Sequence, residues 1–203
     1  SNDRFDYYHG SDRSEARIAD EEQYSQVDND YVQAVLRKLW NIRHQITHLT
    51  ISGYKVTEFP KIINEYPNLT SLTLDHTRIQ ELALSPRKLQ QLTKLSLRAT
   101  PWKTIPAEVL KMPALETLRF RNNEEKLTQI PIELNTLKRL KELFLGQNQI
   151  DFNKEQVKVL ATFPVLKYLS LHSNNLRLLP SNISKLGFLE TLDLGQNLLD
   201  ILP

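Results

Sequence analysis

Apolar residues recur along most of this chain in a fixed phrase. "LFLGQNQI" at 143–150 returns as "LSLHSNNL" at 169–176 and as "LDLGQNLL" at 192–199. A period between about 20 and 50 residues is the signature of a stacked-repeat protein. Aligned on their leucines, the copies share L-x-x-L-x-L-x-x-(N/T)-x-L-x-x-L-P, followed by a looser apolar return. They begin at Ile46, Leu69, Leu92, Leu115, Leu140, Leu166 and Leu189, so successive lengths are 23, 23, 23, 25, 26 and 23 residues. The x-L-x-L-x alternation predicts a short strand with its leucines inward and its x residues outward. The Asn or Thr three residues later falls where the backbone turns. A side-chain amide there satisfies groups the turn leaves unpaired, and successive copies stack into a ladder. One unit cannot bury its own apolar edge, so the units stack and their strands form one parallel sheet.

Both ends of the array carry expectations of their own. Asp28 or Asp30 is placed to N-cap a helix whose Val32, Val35, Leu36, Leu39 and Trp40 share a face, which predicts a capping helix over 28–45. Residues 14–25 predict a second short helix that buries only Ile18 and Tyr24. Residues 1–27 read as an acidic, partly disordered arm, and 46–203 as six full repeats with a truncated seventh. The seventh copy reaches Leu202-Pro203 without a return segment, so the reading is of a fragment with further sequence beyond it.

The seven copies resemble the leucine-rich repeat family over about 46–203. Their length and the "LP" ending are similar to the class found in Ras-suppressor-like proteins, intracellular plant and ROCO-type proteins and many bacterial repeat proteins. The resemblance implies an α/β solenoid: a curved, right-handed superhelix with a parallel concave β-sheet and an N-terminal helical cap. It also implies protein–protein recognition on the concave face. Tyr54, Thr77 and Thr100 stand where the family usually has Asn, so the ladder is expected to be weaker in the first three repeats.

Composition narrows the chemistry. Thirty-five leucines, against five glycines and one methionine, commit the apolar residues to packing. There are no cysteines, which excludes disulfides, thiol nucleophiles and cysteine zinc sites. No apolar run reaches the roughly 20 residues of a membrane span. The expected setting is the cytoplasm, or a host cytoplasm into which a bacterium secretes the protein. The net charge of +2 hides an asymmetry, with −6 over residues 1–30 and +8 over the rest. No glycine-rich phosphate loop, paired-histidine zinc motif or serine elbow is present. His9, His44, His48, His76 and His172 read as solvated, and Trp102 as core. No enzyme activity, cofactor or metal is therefore expected.

The outward strand positions carry the functional signal. Lys94, Arg98, Arg119 and Arg121 cluster in the third and fourth repeats, and Phe144, Tyr168 and His172 follow in the fifth and sixth. Arginine and exposed aromatics are what binding hot spots are enriched in, and an outward Phe144 has no evident packing role. The expected partner is a protein with an acidic surface and an apolar spot, met by a monomer. The alternative is a substrate-recognition arm of a larger enzyme, a ubiquitin-ligase effector or ROCO-type GTPase. Four cations and two aromatics make a thin site for nucleic acid, so that partner is not expected.

Overall fold

The computed structural model describes residues 8–9, 12–19 and 26–200. Contacts group the chain into two compact units, 1–101 and 102–203. In the first, β1 (Tyr8–His9) runs antiparallel to β2 (Asp12–Ile18). Three further parallel strands follow, β3 (His48–Ser52), β4 (Ser71–Asp75) and β5 (Lys94–Arg98). Sequence register becomes strand register. Leu49 pairs with Leu72 and Leu72 with Leu95, while Ile51, Leu74 and Leu97 form the second buried row.

The sheet begins before the repeats do. Glu15–Ile18 pair in parallel with His48–Ile51, and Ala16 and Ile18 are buried while Glu15 and Arg17 are half-buried. This period-two alternation is a strand pattern, and it corrects the helix expected over 14–25. It also makes 12–18 part of the sheet and not of a disordered arm. Tyr24 and the rest of that expected helix lie outside the described residues.

The predicted cap forms as α1 (Asn29–Lys38), with Asp28 Oδ1 accepting from Tyr31 N at 2.8 Å. Val32, Val35, Leu36 and Leu39 are buried beneath it. A tighter 3-10 turn, Trp40–Gln45, then rotates Trp40 off the stripe. Trp40 was expected to be buried; it is 36% exposed, with the Arg43 guanidinium 4.0 Å above its ring. Two side chains tie the cap to the repeats. Tyr66 Oη donates to Leu36 O at 2.6 Å in the core, and Asn29 Oδ1 accepts from Thr57 N and Glu58 N at 2.9 and 3.2 Å. Asn29 therefore does for the first repeat what a ladder asparagine does for later ones. Tyr54, at the ladder position, is instead 45% exposed. Before it, Gly53 has φ +155°, and a Cβ there would sit 2.9 Å from Val27 O, so the cap's entry requires glycine.

The second unit holds four parallel strands, β6 (Thr117–Arg121), β7 (Glu142–Phe144), β8 (Tyr168–Ser170) and β9 (Thr191–Asp193). Return segments are 3-10 turns opened by proline carbonyls. Leu134 N donates to Pro131 O at 3.2 Å and Ile183 N to Pro180 O at 3.1 Å. The longest repeat instead accommodates α2 (Lys154–Leu160), capped by Asn153 Oδ1 on Glu155 N and Gln156 N. Trp102, expected in the core, is half-buried.

One turn recurs in both units. His76, Ala99, Asn122, Gln147, Ser173 and Gln196 all have φ between 49° and 55°, and each immediately precedes a ladder residue. The left-handed residue extends the strand pairing by one bond, as Gln147 N does to His172 O at 2.9 Å. The ladder residue then turns inward. Asn148 Oδ1 accepts from Leu127 N at 3.0 Å, and its amide donates to Phe120 O and Leu145 O at 3.0 Å each. Asn174 bonds Ile150 N and Leu145 O, and Asn197 bonds Leu176 N and Leu171 O. In the first unit, Thr77 and Thr100 are buried, and the Thr77 hydroxyl has no hydrogen-bond partner among the described residues.

The unequal ladder generates a stability prediction. Asn148→Ala leaves a buried N–H and two carbonyls unpaired and costs about 3 kcal/mol, whereas Thr77→Ala costs about 1 kcal/mol or less. Urea unfolding of both variants measures the difference; equal losses would remove the ladder from the account. Separately, Ala99 holds φ 50° without a side-chain bond. Ala99→Gly is expected to stabilise the protein by about 0.5–1 kcal/mol, read from the same titrations.

Candidate protein-binding face

The sheet presents one layer of alternate side chains to solvent, and the second unit gathers five of the seven predicted contact residues there. Arg119 and Arg121 stand on β6, Phe144 on β7 and Tyr168 on β8, with His172 just beyond β8. Arg119 and Phe144 occupy the same repeat position and are direct partners in register. That pairing lays the guanidinium over the ring, with Cζ 3.8 Å from the ring centroid. Tyr168 pairs with Glu142 and leans diagonally, bringing its ring centroid to 4.7 Å from that of Phe144 at an interplanar angle of 33°. Arg119, Phe144 and Tyr168 thus form a continuous stack across three strands.

This corrects the expectation that Phe144 stands outward without a packing role. Each side of its ring is filled, and all three residues are half-buried. The stack holds a cation and two aromatic edges in a fixed arrangement on the solvent side. Such a group has already lost most of the side-chain freedom that binding would otherwise remove. Arg119 keeps its charge at the surface while stacked, because a cation–π contact neutralises nothing.

The flanks of the stack are set by hydrogen bonds. Thr117 Oγ1 donates to Glu142 Oε1 at 2.9 Å, so Glu142 is partly engaged and Thr117 is buried. Ser170, also buried, donates to Asp193 Oδ2 at 3.0 Å, and Gly195 N donates to Asp193 Oδ1 at 2.9 Å. His172 Nδ1 lies 2.9 Å from Ser173 Oγ. Its ring rests against Gly195, where a Cβ would come within 3.0 Å of His172 Cδ2. Arg121 is half-buried beside Arg119 on the same face.

Lys94 and Arg98 belong to the first unit. Lys94 is exposed at the start of β5. Arg98 Nη1 lies 3.6 Å from Asp75 Oδ2, and Asp75 Oδ1 lies 2.9 Å from His76 Nδ1, so Arg98 is held in a local charge cluster. Sequence reasoning found each cation but not this acid, although Asp75 and Arg98 share a repeat position and are register partners.

Elsewhere the second unit has a groove of about 880 Å³ along its return segments, where Ile132 is 46% exposed. Two of its polar side chains serve the fold. Gln156 Oε1 accepts from Ile130 N at 2.6 Å, and Lys126 Nζ donates to Asn123 O at 2.5 Å. At its rim, Lys103 is held above the ordinary ammonium range by a hydrogen bond and charge from Glu125. Among the described residues no three His, Asp or Glu side chains are grouped to hold a metal ion, and no helix is long and apolar enough to cross a membrane.

The stack predicts a measurable coupling. In a double-mutant cycle of Arg119→Ala and Phe144→Ala, the two changes are expected to be non-additive by about 0.5–1 kcal/mol in urea unfolding. Strict additivity would show that the two side chains are merely neighbours.

A family model described as "Leucine-rich repeat region" matches residues 17–163, and one described as "Leucine Rich Repeat" matches residues 165–186. Among curated proteins, podocan-like protein 1 of Mus musculus is 31% identical over 144 residues, which is 68% of this chain and 24% of that protein. Podocan-like protein 1 of Homo sapiens is 28% identical over 143 residues, 68% of this chain and 27% of that protein. The chain spans about a quarter of the length of these curated relatives. Among solved structures, a chain of the Toll–Spatzle complex of Drosophila aligns with TM-score 0.60 and 21% identity, over 78% of this chain and 21% of that one. The Leptospira interrogans LRR protein LIC12759 aligns with TM-score 0.57 and 22% identity, over 94% and 56%. The leucine-rich repeat domain of the type III effector XopL aligns with TM-score 0.51 and 22% identity, over 70% and 50%. At these identities the likenesses to solved structures are likenesses of fold.

Proposed function

This chain belongs to the leucine-rich repeat family, a solenoid fold whose domains generally mediate protein–protein interaction, and we propose that it is a recognition module that binds a protein on the solvent face of its sheet. The observation that carries the proposal is the stack of Arg119, Phe144 and Tyr168. Aromatic and arginine side chains packed together on an otherwise polar sheet are the composition of an interface centre. Arg121 and His172 border the stack and complete the contact surface of the second unit. In the first unit, Lys94 and Arg98 are contacts of the same kind.

The partner is a protein whose surface sets an acidic group beside an apolar spot, so that the carboxylate faces Arg119 and the apolar group meets the rings. The module has no chemistry of its own in this reading and acts as a monomer. Its setting is the interior of a cell, either the one that makes it or a host cell reached by bacterial secretion. Service as the substrate-selecting arm of a larger enzyme would use the same face.

Affinity capture from nuclease-treated lysate tests this, comparing the unaltered chain with one carrying Arg119→Glu, Arg121→Glu and Phe144→Ala. A protein held by the first and lost by the second is expected. Equal recovery by both would move the site off this face, and retention seen only in a parallel lysate not treated with nuclease would replace the protein partner with a polyanion.

A further inference from the structure

Resting on that reading, we infer that the face of the second unit reads charge at both ends, so that its partner carries an acidic and a basic residue about 14 Å apart with an apolar residue between them. The argument starts from register. Arg119, Phe144, Ser170 and Asp193 are successive Cα partners across β6, β7, β8 and β9. Three strand spacings of about 4.8 Å separate the first from the last, which places the two Cα atoms about 14 Å apart.

The strip therefore has a cation at one end, two stacked rings beside it and a carboxylate at the other end. The members between the charges are fixed. Tyr168 is stacked on Phe144, and the buried Ser170 hydroxyl donates to Asp193. Asp193 itself is immobilised by that bond and by Gly195 N, yet both donors are neutral, so its negative charge is not cancelled. Gly195 next to it presents no side chain, leaving the carboxylate reachable from above beside the His172 ring. An all-acidic partner would meet Arg119 favourably and be repelled at Asp193.

The occupant is an extended protein segment lying across the strands. Four residues of extended chain cover about 13 Å, so its acidic and basic residues are four positions apart with a large apolar residue midway. The two charges at fixed separation set the segment's direction on the face, and the rings supply the apolar contact.

Selection of displayed random 12-residue peptides tests the proposal, run on the unaltered chain, on Asp193→Asn, on Asp193→Lys and on Arg119→Glu with Phe144→Ala. Asp193→Asn keeps an acceptor for Gly195 N, removes the charge and turns the Ser170 contact round, the amide N–H donating to Ser170 Oγ; circular dichroism of each variant checks the fold. The expected result on the unaltered chain is enrichment of an acidic and a basic residue four apart around an apolar one. Asp193→Lys should replace the basic preference with an acidic one, and a selected peptide should bind Asp193→Asn about twofold to fivefold more weakly. Enrichment of acidic and apolar residues with no basic preference would overturn the two-ended reading while leaving the proposed function standing. Undiminished selection on the Arg119→Glu, Phe144→Ala chain would overturn both. Absence of any enrichment would overturn the extended segment as the occupant.

Discussion

Everything on the solvent face depends on how the chain leaves each strand. Six times, a residue with φ near 50° is followed by a side chain turned inward, and from Asn148 to Asn197 that side chain is an amide bonded to the backbone on both sides. A buried backbone group without a partner destabilises a fold by about 1–3 kcal/mol. The asparagine answers several at once, and by bonding the preceding repeat as well as its own it fixes their register. Register then places Arg119 opposite Phe144. The arrangement of side chains on the solvent face is thus a consequence of a hydrogen-bond ladder at the turn that ends each strand.

The same constraint explains the difference between the two ends of the array. The first repeat has no inward asparagine, and Asn29 from the capping helix supplies amide bonds to Thr57 and Glu58 in its place. The cap therefore shields apolar surface and also completes the backbone bonding of the first turn. Gly53, pressed against Val27, records how closely the two meet. Threonine at 77 and 100 keeps the second and third turns buried with a smaller polar group.

Much of this was legible in the sequence because a repeat converts spacing directly into geometry. The leucine template located β3 to β9, and the expected asparagine ladder is present from Asn148 onward. The strand at Asp12–Ile18 was missed because it precedes the period and carries only two inward apolar residues, Ala16 and Ile18, among charged ones. Trp40 was misplaced because the helical stripe was extended past Lys38, where the backbone tightens to a 3-10 turn and the angular period changes. At the face, the cations and aromatics were singled out, but Asp75, Asp193 and the mutual contacts were not. The Arg119–Phe144 stack could have been read from their shared repeat position. The diagonal lean of Tyr168 and the Ser170–Asp193 bond depend on rotamers, which a repeat template does not encode.

The central claim is that the stacked face, and not the return-segment side, meets the partner. Site-specific photocrosslinking tests it most directly, with benzoylphenylalanine placed at Phe144 in one protein and at the exposed Ile132 in another. The account predicts that irradiation in lysate yields a discrete crosslinked protein from position 144 and none of that species from position 132. The same crosslinked species from position 132, with nothing from position 144, would place recognition on the opposite side of the repeats and contradict it.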